Sequence, residues 1–155
     1  MMLTSALLMV NSTAQSQVDV ATDTELRVAY CVGVLEHTQA AFNPMAGEPA
    51  DSRSAKALRE GAQSNANRRA RLLGYLRARG LFSVRSAAAL SGTVAAKRRG
   101  WDDSAERLAV VYACIEKCPM GSNSIGACID DCRETKEKPV WLAIERCANN
   151  DPLPY

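Results

Sequence analysis

Apolar residues recur at helical spacing along most of the chain, and no stretch of convincing length alternates between apolar and polar residues as a strand does. In the first such segment, residues 23–42, the polar side chains leave a wide apolar arc around the helix axis. Those polar side chains are Glu25, Arg27, Glu36 and Gln39. A helix that is apolar over so much of its circumference is expected to lie at the centre of a bundle. The pattern therefore predicts an all-α fold with this helix in its core.

A second helix is predicted over residues 51–79, because small and aliphatic residues share one arc and Gly80 suits the left-handed position beyond a helix end. Gly61 and Gly74 are poor helix formers, so this segment is either one continuous helix or a broken one. An alanine-rich helical piece follows over residues 83–99. We therefore expect two helical segments between the first helix and the cysteine-rich residues 101–149.

Residues 101–149 carry the clearest start and stop signals. Asp103, followed three residues later by Glu106, is similar to a capping box and predicts that a helix begins there. Pro119 ends that helix, and turn-forming residues separate it from the next one. Pro139 suits the first position of a final helix. The segment is therefore predicted to form a cysteine-rich helical hairpin and a last helix.

Residues 1–14 are predicted to be a signal peptide, because an apolar stretch is followed by Ser12 and Ala14 at the spacing that a signal peptidase reads. No Lys or Arg precedes Arg27, so the usual positive start is missing, and an N-terminal helix packed on the domain stays the alternative. No apolar run reaches the roughly 18 residues of a membrane-spanning helix. Residues 15–155 are expected to form a single domain, as their length allows.

The six cysteines are an even number, as three disulfides require. They are Cys31, Cys114, Cys118, Cys128, Cys132 and Cys147. In an antiparallel hairpin the residue numbers of opposed positions have a constant sum, and the pairs Cys114–Cys132 and Cys118–Cys128 share one sum. One register therefore brings both pairs together about one helical turn apart. Bridges within one helix are disfavoured, because the Cβ vectors of positions i and i+4 do not converge.

The remaining pair, Cys31–Cys147, is predicted to tie the first helix to the last. On the chain-entropy model this long loop contributes about 5 kcal/mol of stability, and the short Cys118–Cys128 loop about 3 kcal/mol. Disulfides persist outside the cell or in the periplasm and are rare in reducing cytosol. The cysteine count and the N-terminal segment therefore both predict a periplasmic or secreted protein.

A metal site is the main alternative for the cysteine-rich hairpin. Four thiolates from Cys114, Cys118, Cys128 and Cys132 would give the tetrahedral set that zinc prefers. Structural zinc sites typically use closer C-x2-C pairs, and an exported protein would oxidise the thiols first. The twin C-x3-C spacing over 114–132 resembles the hairpin of the small mitochondrial intermembrane-space chaperones. This resemblance concerns the cross-linked hairpin only, and no function follows from it.

Charge is unevenly distributed along the chain. The basic helical region, residues 53–99, carries twelve Lys and Arg against Glu60 alone, whereas the flanking segments are net acidic and the whole chain has a formal charge of +2. Such a region attracts anionic partners, an acidic protein or an anionic envelope surface. We predict that four of its side chains bind the partner: Arg68, Arg69, Arg71 and Arg77. Arg69 falls inside the apolar arc of the second helix, where it either has a buried partner or marks a gap in the packing.

Nucleic-acid binding by residues 53–99 is a further alternative. The arginines surround the helix and form no single stripe that matches a groove. Only Tyr75 and Phe82 are available nearby to stack on bases. A solvated face whose charge is partly neutralised by the acidic flanking segments explains the pattern better than nucleic-acid recognition does.

No catalytic constellation is evident in the sequence. The single histidine, His37, shares an arc with apolar residues and is expected to be a hydrogen-bonded core residue. Trp101 and Trp141 are expected to anchor the core. No Ser/His/Asp set, phosphate-binding loop or cofactor motif can be assembled. The sequence therefore predicts a non-catalytic exported helical protein, without a cofactor, that serves as an interaction or structural module through its basic surface.

Overall fold

The computed structural model describes residues 19–42, 53–82, 84–118 and 124–149, and the predicted signal peptide at residues 1–14 lies outside these ranges. The described residues form helices and no strand, which confirms the all-α prediction. The helices are α1 (Asp23–Phe42), α2 (Arg53–Ala78), α3 (Ala87–Lys117), α4 (Ile125–Glu134) and α5 (Pro139–Asn149). None of them, in this described part of the chain, combines the length and apolar character that crossing a membrane demands.

Helix α1 is the central element, as its wide apolar arc predicts. It packs against α2, α3 and α5, and buries the side chains of Val28, Val32 and Leu35 among others. Its start is a capping box, because the Thr22 N–H donates to Glu25 Oε2 at 2.7 Å and the Glu25 N–H donates to Thr22 Oγ1 at 3.3 Å. The reciprocal bonds satisfy two backbone donors that a helix N-terminus otherwise leaves unpaired.

Helices α1 and α3 run parallel and touch through their backbones at Gly33 and Gly100. A Cβ placed on Gly33 would lie 1.9 Å from the carbonyl oxygen of Lys97, and one on Gly100 would lie 2.0 Å from that of Tyr30. Real Cβ atoms do not approach other atoms so closely. Only glycine therefore permits this crossing, which sets the distance between the two helices that have the most extensive contact in the described structure.

Helix α2 is continuous through both interior glycines and ends as predicted. Gly61 and Gly74 face open space, and a Cβ added to either would have no neighbouring atom within 4 Å, so neither marks a contact or a break. Gly80 has a φ of 71°, the left-handed conformation that glycine adopts without steric cost. Among the side chains of α2 whose burial is described, only Leu72 and Leu76, in its last part, are buried against the core.

The prediction that a helix begins at Asp103 is wrong, because α3 is one helix of 31 residues that continues through this position. Its true N-cap is Ser86, whose side chain accepts a hydrogen bond from the Ala89 N–H. Ala96 and Ser104, on either side of the expected boundary, are both buried. Burial on both sides keeps the helix continuous, and the carboxylate of Asp103 accepts a hydrogen bond from the Tyr30 hydroxyl at 3.0 Å.

Three disulfides join the helices in the pairing that the sequence predicts. Cys114–Cys132 and Cys118–Cys128 connect α3 to α4 as an antiparallel hairpin, with Cα–Cα distances of 5.7 and 5.9 Å. Cys31–Cys147 connects α1 to α5 at 5.2 Å and leaves no free cysteine in the chain. Helix α4 has no buried residue, so these two cross-links to α3 are its main attachment. The disulfide-linked helical bundle is therefore confirmed, and its disulfides indicate an oxidising environment.

Candidate functional site

The four arginines predicted to bind a partner have different surroundings, and Arg68 has a structural role. Its Nη1 donates to the carbonyl oxygen of Cys147 at 3.4 Å and also to that of Ala148. Both carbonyls belong to the last turn of α5, where backbone acceptors lack partners within the helix. Arg68 therefore links α2 to α5, and its guanidinium group is already hydrogen-bonded within the protein.

Arg69 is half-buried, and its Nε atom has no hydrogen-bond partner among the described residues. The partial burial of Arg69 agrees with its predicted position inside the apolar arc of α2. No carboxylate of the described residues pairs with it. Arg71 and Arg77 are exposed. Of the four predicted residues, these two are therefore the ones whose side chains are open to solvent.

Other basic residues of the same region are neutralised by a buried carboxylate. Glu25 is completely inaccessible to solvent, and its Oε1 lies 2.9 Å from Arg85 Nη1 and 3.3 Å from Arg79 Nε. Arg85 also pairs with Asp19 at 2.7 Å. Glu25 is one of the polar side chains outside the apolar arc of α1, yet it is buried because Arg79 and Arg85, which follow α2, cover it. This cluster joins the start of α1 to the connection between α2 and α3.

The hydrogen bonds of the cluster control its pKa values. Burial alone would raise the pKa of Glu25, but the donors from Thr22, Arg85 and Arg79 outweigh it and hold the pKa below the usual 4.5. The pKa of Asp19 is lowered by its bonds to Arg85 and Ser86. Both groups are therefore charged in the folded protein at a pH where they would begin to protonate in the unfolded chain.

We expect the free energy of unfolding to fall as the pH drops below about 4.5, because the unfolded chain then binds protons that the folded carboxylates resist. Glu25→Gln should cost about 3 kcal/mol at pH 7, since it removes a buried carboxylate that bonds to Arg79, to Arg85 and to the Thr22 N–H. The free energy of unfolding of this variant should also decrease less between pH 7 and pH 3 than that of the native protein. Urea unfolding at pH 7 and at pH 3 measures both effects.

Glu60→Gln is the matched control for this prediction. Glu60 is exposed and pairs with Lys56 at 3.9 Å, so its loss should change stability by less than about 1 kcal/mol. Equal effects of the two substitutions, or an unchanged pH dependence of stability in Glu25→Gln, would show that the buried cluster stabilises the protein no more than an exposed ion pair does.

Farther along α3, acidic residues neutralise further positive charge. Lys97 Nζ lies 2.9 Å from Glu36 of α1, and Arg98 pairs with Asp102 one helical turn on at 3.0 Å. Arg77 and Arg99, both exposed, make no ion pair within the described ranges. Part of the basic region is thus neutralised by flanking acids, and part of it is left facing solvent.

His37 contacts a serine 67 positions away, a pairing that the sequence did not indicate. Its Nδ1 lies 3.0 Å from Ser104 Oγ, and its ring meets Trp101 edge-on with centroids 5.2 Å apart. Burial lowers the pKa of His37 below its usual 6.5, so the ring is neutral at pH 7. The expected hydrogen bond is present, but His37 is only partly buried and does not belong to the core. Trp141 is buried as expected, whereas Trp101 is only partly buried.

The His37–Ser104 pair lacks the setting that nucleophilic catalysis needs. Ser104 lies inside α3, where backbone N–H groups already donate to the helix. Free donors are required beside a catalytic serine to stabilise the oxyanion of an acyl-transfer intermediate. The hydrogen bond between His37 and Ser104 therefore helps to orient α1 against α3.

A cleft of about 290 Å³ opens beside this pair, where α1, α3, α4 and α5 converge. We call it the Arg107 cleft. Its lining consists of His37, Thr38, Ala41, Phe42, Ser104, Arg107, Leu108, Val111, Arg133 and Ile144. The sequence offered one signal for it, since Ser104, Arg107, Leu108 and Val111 recur at the i, i+3, i+4, i+7 spacing of one helix face. The sequence does not show that this face of α3 meets α1, α4 and α5, because that contact depends on tertiary structure.

The cysteines of the hairpin offer zinc no ligands in this oxidised state, because zinc binds thiolates and these sulfurs are bonded to one another. Across the described ranges, no group of three or more His, Cys, Asp or Glu side chains is arranged to hold a metal ion. The two C-x3-C pairs therefore act here as structural cross-links.

Comparison with known proteins finds no matching family model, no matching curated protein and no matching solved structure. The functional argument therefore depends on the residues and contacts of this chain.

Proposed function

We propose that this chain is a non-catalytic helical protein of the periplasm or the extracellular space, and that it binds an acidic partner protein through α2. The oxidising environment that its disulfides indicate supports the location. The predicted signal peptide at residues 1–14 agrees with export.

One observation carries the binding proposal: no side chain of α2 from Lys56 to Arg71 is buried in the described structure. Helices in proteins obtain most of their stability from packing an apolar face, so a stretch of this length without a buried side chain is unusual. This stretch carries five basic residues against Glu60. A positively charged stretch of helix whose side chains are at most partly buried presents a surface to an anionic partner.

The distribution of its charges favours a protein over a lipid surface. The arginines surround α2, whereas a flat membrane contacts one side of a helix only. A groove in a partner protein encloses more of the helix, as in helix-in-groove recognition. An acidic groove therefore uses more of these side chains than an anionic envelope surface does.

The test compares two charge-reversed variants that change the net charge equally. Arg71→Glu/Arg77→Glu alters exposed arginines of α2, and Lys136→Glu/Arg146→Glu alters exposed cations near and on α5. Arg68 is left intact because of its bonds to α5. We expect poly-glutamate to bind the native protein at low salt, and the α2 variant to bind at least tenfold more weakly than the control variant.

Two further probes separate the alternatives. Vesicles containing phosphatidylglycerol and a DNA duplex are titrated over the same salt series, since electrostatic binding weakens with salt. Failure of poly-glutamate to bind, or equal losses in both variants, would overturn the proposal. Binding of vesicles alone would instead assign α2 to an envelope surface, and binding of DNA alone would assign it to nucleic acid.

A further inference from the structure

The Arg107 cleft has apolar walls. Five of its lining residues are hydrophobic: Ala41, Phe42, Leu108, Val111 and Ile144. Its volume of about 290 Å³ lies just below the usual range of ligand pockets, about 300–1,000 Å³. Apolar walls around a space of this size suit the hydrocarbon part of a small molecule.

The charged lining of the cleft has one sign. Arg107 and Arg133 contribute guanidinium groups, and no carboxylate is among the lining residues described. Arg107 pairs with Glu145 through Nη2, and Arg133 lies 3.6 Å from Asp130 through Nη1. Each guanidinium has five N–H donors in total, so these contacts leave donors for a second anion. His37 is neutral and adds no competing charge.

From these features we infer that the Arg107 cleft binds a small amphipathic anion, namely a monocarboxylate with an apolar chain. The carboxylate lies between Arg107 and Arg133, because guanidinium and carboxylate groups form strong charge-assisted hydrogen bonds. The chain lies against Leu108, Val111 and Ile144. This site uses none of the α2 arginines and is independent of the proposed partner surface.

The disulfides hold the walls of the cleft in place before a ligand enters. Cys31–Cys147 fixes α5, which carries Ile144, to α1, and Cys114–Cys132 fixes α4, which carries Arg133, to α3. A preformed site loses less conformational entropy when its ligand binds. Reduction of the disulfides is therefore expected to abolish ligand binding.

Titration calorimetry of the oxidised full chain with octanoate tests the inference. We expect one binding site, and at least tenfold weaker binding of octanamide, which has the same chain without the charge. Arg133→Ala should weaken octanoate binding at least tenfold, because it removes one of the two cations. Arg146→Ala, an exposed arginine of α5 outside the cleft, should bind as the native protein does.

A second variant tests the apolar part of the site. Ala41→Phe fills the cleft without changing its charge, and octanoate should no longer bind. Thermal unfolding of each variant shows whether it is folded. No octanoate binding to the native protein, equal binding of octanamide, or unchanged binding in folded Arg133→Ala or Ala41→Phe would overturn the inference.

Discussion

Gly100→Ala is expected to destabilise the folded protein by about 3 kcal/mol or more. The new Cβ would lie 2.0 Å from the carbonyl oxygen of Tyr30, and a backbone atom cannot move aside as a flexible side chain does. The helices α1 and α3 would have to separate along the most extensive contact of the described bundle. A loss of this size is a large part of the 5–15 kcal/mol that typically stabilises a domain. Urea unfolding of the oxidised protein measures it.

Gly74→Ala is the matched control, because Gly74 lies in a helix with open space around it. Alanine is the better helix former by about 1 kcal/mol, so this variant should be as stable as the native protein or more so. Gly33→Ala should resemble Gly100→Ala, since its Cβ would meet the carbonyl oxygen of Lys97. If Gly100→Ala and Gly74→Ala gave the same stability, the proposed backbone contact between α1 and α3 would not exist.

Removal of the Cys31–Cys147 disulfide is expected to have the other large effect. The bond closes a loop with a sequence separation of 116, which corresponds to about 5 kcal/mol on the chain-entropy model. Both residues are buried, so Cys31→Ala/Cys147→Ala also leaves space in the core. We expect this double variant to be largely unfolded at 37 °C.

Removal of Cys118–Cys128 provides the comparison, because its sequence separation is only 10 and its expected contribution is about 3 kcal/mol. Thermal unfolding followed by circular dichroism should rank the Cys31–Cys147 variant well below this one. The loss in the Cys118–Cys128 variant should be concentrated in α4, which buries none of its residues. The reverse ranking would mean that the tie between α1 and α5 is not what holds the bundle together.

The features predicted correctly from the sequence are those that local spacing or a single register determines. The cysteine spacing in α3 and α4 allows one antiparallel register, and the structure has the same pairs. Gly80 follows α2 in the left-handed conformation, as its position predicts. The apolar circumference of α1 predicted its central place.

The features that were missed depend on contacts distant in sequence. The capping signal at Asp103 is local, and packing of α3 on α1 overrides it. The bond between His37 and Ser104, and the burial of Glu25 under Arg79 and Arg85, appear only when helices far apart in the chain are assembled. The Arg107 cleft needs four helices to form, and so it has no complete signature in any one segment.

The central claim is that three specific disulfides hold this helical bundle together. Digestion of the unreduced protein, purified from an oxidising environment, with trypsin and Asp-N protease separates the relevant cysteines, since cleavage occurs after Lys117 and before Asp130 and Asp131. The predicted result is a peptide of residues 118–129 with an internal disulfide. Two further products are predicted: the Cys114 peptide linked to the Cys132 peptide, and the Cys31 peptide linked to the Cys147 peptide. Titratable thiols, or any other set of linked peptides, would contradict the account.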